Sequence, residues 1–581
     1  MVREGQISEA IDLGPYADRV REEDRQPWST WWLVAAAAVV SILEIGAYLL
    51  GGWCAWLAAR VWVVCSAAFV LGSVLMVAKV LAGDLRRFRA TPVVLIAVTA
   101  WVAFGSIGGV DHLIVNHEAS QEVAAGLDAL ASKDLEYTGT GFLGYPVRQY
   151  ILAAVPAVVL GRSLTALRLG YGCLFFLGVL VCWGGLRKGL EGNAQASAIA
   201  ALTVLSFFSF PYLPEFVHLY EQNIIPFSLT ALATGWLLLA DEEPKPLRLA
   251  ALAWVGCMLG TSYTPSLAAL GLLAVVIFGK IASALRDRHF GTAVAWAMVL
   301  LPPLVFTAMA ATARRDLRFD HVGGADFSGA WSALREAFSV VFLGEPRLFM
   351  SPLLLLPIGV YLLVAFFFGA GLRHAVTAWW VLATLAAAVV LRGYATPPPE
   401  FALHRALVII PPLMVGMLAW LLKVGGAWRP WIPRPVLAGV AVVLTVAAWV
   451  NLRAAERRYP PGLRDMVVAD LAHEIEGFDI AVDARPTFVA ITARPDLDNI
   501  GDYLRYFLPG TEVIRDAREL GDEERWPILI YADQGRWPTA LRRAGVLPQR
   551  EVTFENPYTG HVFEAATVTS PLSLGSAQAS Q

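Results

Sequence analysis

Charge is scarce in this chain. Only 16% of its 581 residues are Asp, Glu, Lys or Arg, against about 25% in soluble domains. No basic excess exists either, since 45 Lys and Arg face 48 Asp and Glu for a net charge of −3. Nucleic acid is therefore not an expected partner. Cysteine is rare, and Cys54, Cys65, Cys173, Cys182 and Cys257 all fall inside apolar stretches. A disulfide scaffold is excluded, and these thiols are expected to pack as small hydrophobes. There is no P-loop, Rossmann fingerprint, nucleophile elbow, CxxC or HExxH, which argues against nucleotide-driven chemistry. What is present is apolar: 57% hydrophobic residues, 20 Trp and 28 Phe, with a mean hydropathy of +0.57. Such a chain uses lipid as its solvent. About 28 polar residues precede the first hydrophobic run, which is long enough to span, so no cleavable signal peptide is expected.

The expected fold is a polytopic α-helical membrane protein with a small C-terminal α/β domain. A bilayer core needs about 17–25 apolar residues per helix. Thirteen stretches qualify: 30–50, 58–82, 91–110, 163–185, 195–214, 223–240, 249–263, 267–283, 291–312, 352–370, 376–392, 404–422 and 435–451. The polar break Thr261-Ser262-Tyr263-Thr264-Pro265 divides the seventh from the eighth. With the N-terminus in the cytoplasm, every short loop on that side carries Lys or Arg, among them Arg86-Arg87, Arg187-Lys188 and Arg373. The opposite side receives the long segments 111–162, 313–350 and 453–581. Residues 147–161 are apolar but short, and a span there would move Arg187-Lys188 outside. They are expected to lie at the outer surface of an inner, cell membrane.

The regions expected are a cytoplasmic tail (1–28), two N-terminal helices (29–90), a catalytic membrane domain (91–452), an extracytoplasmic α/β domain (453–569) and a disordered end (570–581). Strand-like runs occur at 478–482, 488–491, 527–531 and 561–563, and helix-like ones at 463–476 and 537–544.

Ionisable groups in a membrane protein are functional hypotheses by default, and here they gather in four outer segments. Asp111-His112 and His117-Glu118 open the first loop, and Glu215, His218, Tyr220 and Glu221 follow the fifth span. Asp320-His321 lies in the 313–350 loop, and Arg392, Glu400, His404 and Arg405 precede the twelfth span. A bland account exists for each: a solvated loop for Asp111 and His321, a dipole-complementing charge for Glu118 and Glu221, and interfacial snorkelling for Arg392 and Arg405.

Several of these motifs together resemble the GT-C superfamily of membrane glycosyltransferases. The likeness is greatest to the branch of protein O-mannosyltransferases and the lipid A aminoarabinose transferase (glycosyltransferase family 39). His117-Glu118-Ala119-Ser120 followed by Val123 to Leu127 is similar to the family's Asp-Glu motif and the short helix behind it. Gly144-Tyr145-Pro146, Tyr150-Ile151-Leu152 and Leu160 to Leu169 resemble its juxtamembrane helix, glycine turn and Leu-Arg entry to the next span. Glu221 with Pro226-Phe227 fits the second acidic position, and His404-Arg405 to Pro412 fits a late Arg–aliphatic–Pro segment. His117 stands where the family has Asp, and spans 30–82 look like an N-terminal addition.

The resemblance implies transfer of a sugar from a polyprenyl-phosphate carrier to a lipid, glycan or protein acceptor at the outer face, with inversion. It assigns Glu118 as base or metal ligand, Glu221 as its partner, His117 and Asp111 as neighbours, and Arg405 with Arg392 on the departing phosphate. Glu118, Glu221, His117 and His321 would form the donor set if a divalent metal (Mg, Mn or Zn) is used. Membrane lipids are the remaining partners. Three alternatives stay open: a lipid-linked glycan ligase or polymerase, an inactive relative serving as a scaffold, and a transporter.

Overall fold

The computed structural model describes residues 27–86, 90–105, 107, 117–132, 147–190, 195–209, 212–220, 223–242, 244–262, 264–313 and 433–458. In the C-terminal domain it describes 487–491, 506–507, 512–514, 528–533, 550–555 and 562–568. For some of these residues, including 117–121, only the backbone is described.

Thirteen helices follow from these ranges. They are α1 (Pro27–Leu50), α2 (Gly52–Leu85), α3 (Thr91–Phe104), α4 (His117–Ser132), α5 (Ile151–Leu160), α6 (Leu164–Gly189), α7 (Ala196–Leu205), α8 (Tyr212–Leu219), α9 (Ile224–Glu242), α10 (Pro246–Thr261), α11 (Thr264–Arg286), α12 (Phe290–Ala313) and α13 (Arg434–Arg458). Among the described residues, seven helices are long and apolar enough to cross a membrane: α1, α2, α6, α9, α11, α12 and α13. The protein is a multi-pass membrane protein.

Most expected spans coincide with helices, and α10 ends at Thr261, the polar break. The expected spans 352–370, 376–392 and 404–422 lie outside the described residues. In two expected spans the described helices are shorter. In 91–110 the helix is described to Phe104, with 106 and 108–110 outside the described residues. In 195–214 the described residues form α7, a 3-10 turn (Ser206–Ser209) that follows it directly, and the start of α8, with 210–211 outside them. Serines at both ends of that turn spend their hydroxyls on backbone carbonyls: Ser206 on Thr203 and Ser209 on Ser206. Such local bonds compete with the helical ladder.

The core forms where α6 and α9 meet, and glycine makes that meeting possible. A Cβ on Gly185 would lie 2.3 Å from the Gly235 carbonyl oxygen, and one on Gly235 2.3 Å from that of Val181. In lipid, helices associate by close packing rather than by hydrophobic exclusion, so small residues at the contact matter most. Against this core α2 presents Ala59, Trp62, Ser66, Phe69, Ser73, Val77, Val80 and Asp84, a stripe at helical spacing. The Trp254 and Trp236 indoles donate to Ser66 and Ser73 at 3.3 and 3.2 Å. The opposite faces of α1 and α2 leave Trp31, Ile42, Leu49, Leu50, Trp53 and Val64 exposed, as lipid-facing helices require.

The segment expected at the outer surface is a 3-10 turn (Val147–Tyr150) running into α5. Ten helical residues rise only about 15 Å, too little to span. Ile151, Ala153, Ala154 and Ala157 are buried while Val155, Val158, Val159 and Leu160 are exposed. Of the thiols, Cys182 and Cys257 are buried as expected, Cys54 and Cys65 are half-buried, and Cys173 is exposed; none is in a disulfide.

The C-terminal domain holds a mixed sheet, β2 (Glu512–Ile514), β1 (Thr487–Ile491), β3 (Ile528–Asp533), β5 (Val562–Val568) and β4 (Arg550–Glu555) in spatial order. β1 runs parallel to β2 and β3, and β5 antiparallel to β3 and β4. The apolar runs at 488–491, 527–531 and 561–563 are β1, β3 and the start of β5. The runs at 463–476, 478–482 and 537–544 lie outside the described residues.

Candidate functional site

Helix α4 begins at His117, so His117 and Glu118 are its first two residues. Behind them the helix is rich in small residues and buries Val123, Ala124, Ala125, Leu127 and Ala129. Small side chains let the 3-10 turn approach, since a Cβ on Gly126 would stand 3.2 Å from the Tyr150 carbonyl oxygen. Glu122, one turn after Glu118, is 4% exposed. The Tyr150 hydroxyl donates to its carboxylate at 2.7 Å. A carboxylate so deep needs such a donor, because desolvation alone would penalise its charge.

Two residues before Tyr150, Arg148 reaches into the bundle and forms an ion pair with Glu44 of α1, both buried. Its guanidinium lies 5.4 Å from the Trp62 ring and 5.4 Å from the Phe306 ring. Trp254 packs on Trp62 at 4.9 Å. Aromatic faces stabilise a cation where water cannot.

The junction between α5 and α6 carries a second polar set. Gly161 takes φ 81°, a left-handed conformation suited to glycine, and Ser163 caps α6 by accepting from the Ala166 amide at 3.2 Å. Between them Arg162 donates to Asp128 of α4 at 3.2 Å and to the Tyr506 carbonyl at 3.1 Å. The Tyr506 hydroxyl donates to the Ser163 carbonyl at 2.9 Å, which fastens the C-terminal domain to this corner. Burial pushes the Tyr506 phenol above its ordinary range.

A third set surrounds the second acidic position. Tyr220 ends α8 with φ 51°, unusual for a residue with a side chain. Its buried ring covers Arg168 at 5.7 Å, and its hydroxyl donates to the Ala103 carbonyl at 3.1 Å. His218 and Asn223 are buried on either side. This strained turn fixes the chain immediately before Glu221. Strain of about 1–3 kcal/mol persists only where the surroundings enforce it.

Of the residues singled out from sequence, His117 and Glu118 are thus found at the head of α4, without description of their side chains. Asp111, Glu221, His321, Arg392 and Arg405 lie outside the described residues. Among the described residues no group of three His, Cys, Asp or Glu converges as a metal site. Glu44 and Glu122 were missed by the sequence reading. Glu44 had a legible signal, being the lone charged residue in the run 30–50; a carboxylate there demands a partner. Glu122 had none beyond its spacing from Glu118.

No family model matches this chain, and no curated protein matches it. Two crystal structures are similar to it. ArnT from Cupriavidus metallidurans bound to undecaprenyl phosphate is 12% identical over 81% of this chain and 97% of that one, with a TM-score of 0.49. Apo ArnT from the same organism is 14% identical over the same shares, also with a TM-score of 0.49.

Proposed function

We propose that this protein is an integral-membrane glycosyltransferase of the GT-C kind. It moves a sugar from a polyprenyl-phosphate carrier to an acceptor at the outer face of the inner membrane. The observation that carries the reading is α4: a helix headed by His117-Glu118 and tied by Glu122 to Tyr150, beside the short helix α5 with its exposed apolar edge. That edge suits a prenyl tail entering from the bilayer, and the acidic helix suits an acceptor hydroxyl.

In this reading Glu118 takes the acceptor proton, and Glu221, with His117 and Asp111 nearby, orients the acceptor. As the sugar–phosphate bond breaks, negative charge grows on the carrier phosphate. Arg405 and Arg392 meet it, since guanidinium offers forked donors that match phosphate. Glu118, Glu221, His117 and His321 are also the donor set a divalent cation would use, a mixture suited to Zn²⁺ or Mn²⁺. The Lys and Arg of the short loops support an orientation with the N-terminus inside and the C-terminal domain outside.

The test is titrated binding of undecaprenyl phosphate to the full chain in lipid nanodiscs, for wild type and Arg405→Ala. Saturable binding that weakens about tenfold or more in the variant supports the reading; removing charge-assisted bonds to phosphate is worth that much. Absence of binding by wild type overturns it. Glu118→Gln then separates a transferase, which loses product while folding normally, from a scaffold, which is indifferent to the change.

A further inference from the structure

In sequence the helix pair α1–α2 reads as an addition to the glycosyltransferase-like stretch, yet it supplies a buried carboxylate to the candidate site. Glu44 is 2% exposed on α1, and its ion-pair partner Arg148 lies 104 residues further along the chain. Arg148 is gripped from several directions. Trp62 of α2 and Phe306 of α12 lie within 5.4 Å of its guanidinium, and Trp254 of α10 packs against both rings. A buried ion pair is a weak source of stability, because apolar residues of like volume often do as well or better. Its better-attested effect is to specify one arrangement, since any shift leaves a charge uncompensated in a dry place.

The arrangement specified here is that of α4. Arg148 belongs to the same four-residue turn as Tyr150. Tyr150 holds Glu122 through its hydroxyl, and its backbone lies where Gly126 leaves room. The turn therefore cannot shift without moving α4, whose second residue is Glu118.

We propose that α1 and α2 brace the acidic helix, with Glu44 and Arg148 acting as positioning residues for α4. The brace stands on geometry alone; only its meaning for Glu118 rests on the glycosyltransferase reading.

The experiment compares full-length wild type, Glu44→Gln and the double variant Glu44→Gln/Arg148→Met in nanodiscs. Hydrogen exchange is followed in α4 and in residues 147–150, with the α6–α9 core as reference, and undecaprenyl phosphate is titrated alongside. The brace predicts that exchange in α4 accelerates about tenfold or more in Glu44→Gln beyond any acceleration in the core. If Glu44→Gln does not fold, the double variant decides, since it carries no uncompensated charge: α4 remains fast to exchange although the core is protected. Wild-type protection of α4 in the double variant, or in a folded Glu44→Gln, overturns the brace. Failure of wild type to bind undecaprenyl phosphate overturns the transferase reading instead and leaves the exchange result to stand by itself.

Discussion

Helix α6 buries an arginine near each of its ends, and the two are handled differently. Arg168 and Arg187 are 19 residues apart, about 28 Å along a helix and close to a bilayer's thickness. At the α6 C-terminus, Arg187 donates through one nitrogen to both carboxylate oxygens of Asp84 at 3.3 Å. Ser197 adds a 2.5 Å bond to the same carboxylate. Charge meets charge between α2, α6 and α7, and nearby Lys280 pairs with Asp241 across α11 and α9. Near the α6 N-terminus the guanidinium of Arg168 lies over the ring of Tyr220, which follows the short helix α8. Arg148, on the short turn before α5, pairs with Glu44 and lies between the rings of Trp62 and Phe306. One end is a lock from span to span. The other ties turns and short helices to the spans, through charge and aromatic rings, beside the segments that carry the candidate acids.

The sharpest break of this comparison is to remove one partner of a buried pair at each end. Asp84→Asn and Glu44→Gln are each expected to cost about 3–5 kcal/mol, read by thermal unfolding in detergent. Only Glu44→Gln should alter exchange in α4. If Asp84→Asn loosens α4 equally, the two ends are not distinct. Tyr150→Phe comes next: it deletes a hydrogen bond to a buried carboxylate and should cost about 1.5–3 kcal/mol, with local loss of α4 protection. Gly235→Ala pushes α6 from α9 beside Val181 and Gly185, close to the Arg187 end. About 1–3 kcal/mol should be lost, with hydrogen exchange rising more at that end than in α4.

The smallest effect concerns the tie to the C-terminal domain. Tyr506→Phe removes one hydrogen bond, worth about 0.5–1.5 kcal/mol. The sign of its pH dependence follows from burial. The folded protein holds the phenol proton more tightly than the unfolded chain does. Stability from this group is therefore complete at neutral pH and declines as pH rises past the ordinary phenol range, about 10. A melting series from neutral into alkaline buffer should show that decline in wild type and a shallower one in the Phe variant.

Legibility in the sequence tracked how local the physics is. The run 223–240 becomes α9 and 291–312 becomes α12 within a few residues, because hydropathy over one helix length is a local quantity. The change to a 3-10 turn at Ser206 was hidden, because Phe207 and Phe208 continue the apolar run through it. In the sheet, β1 and β3 show as apolar runs. The edge strands β2 and β4 do not, since Glu512, Arg550, Glu551 and Glu555 are edge-strand charges that read as surface. At the candidate site, the likeness around 117–127 located a helix that starts at His117, but not what secures it.

By itself, then, the sequence determined that lipid is the solvent, where most helices begin and end, and that charge collects in few segments. Hydrophobicity and turn chemistry act over neighbouring residues, so they can be read along a line. Only the tertiary structure decided that Glu44 meets Arg148, that Tyr150 meets Glu122, and that Tyr506 meets Ser163 across 343 residues. Each buried charge announced that it required a partner. Which partner depended on how the helices close on one another, and in a membrane that is decided by packing.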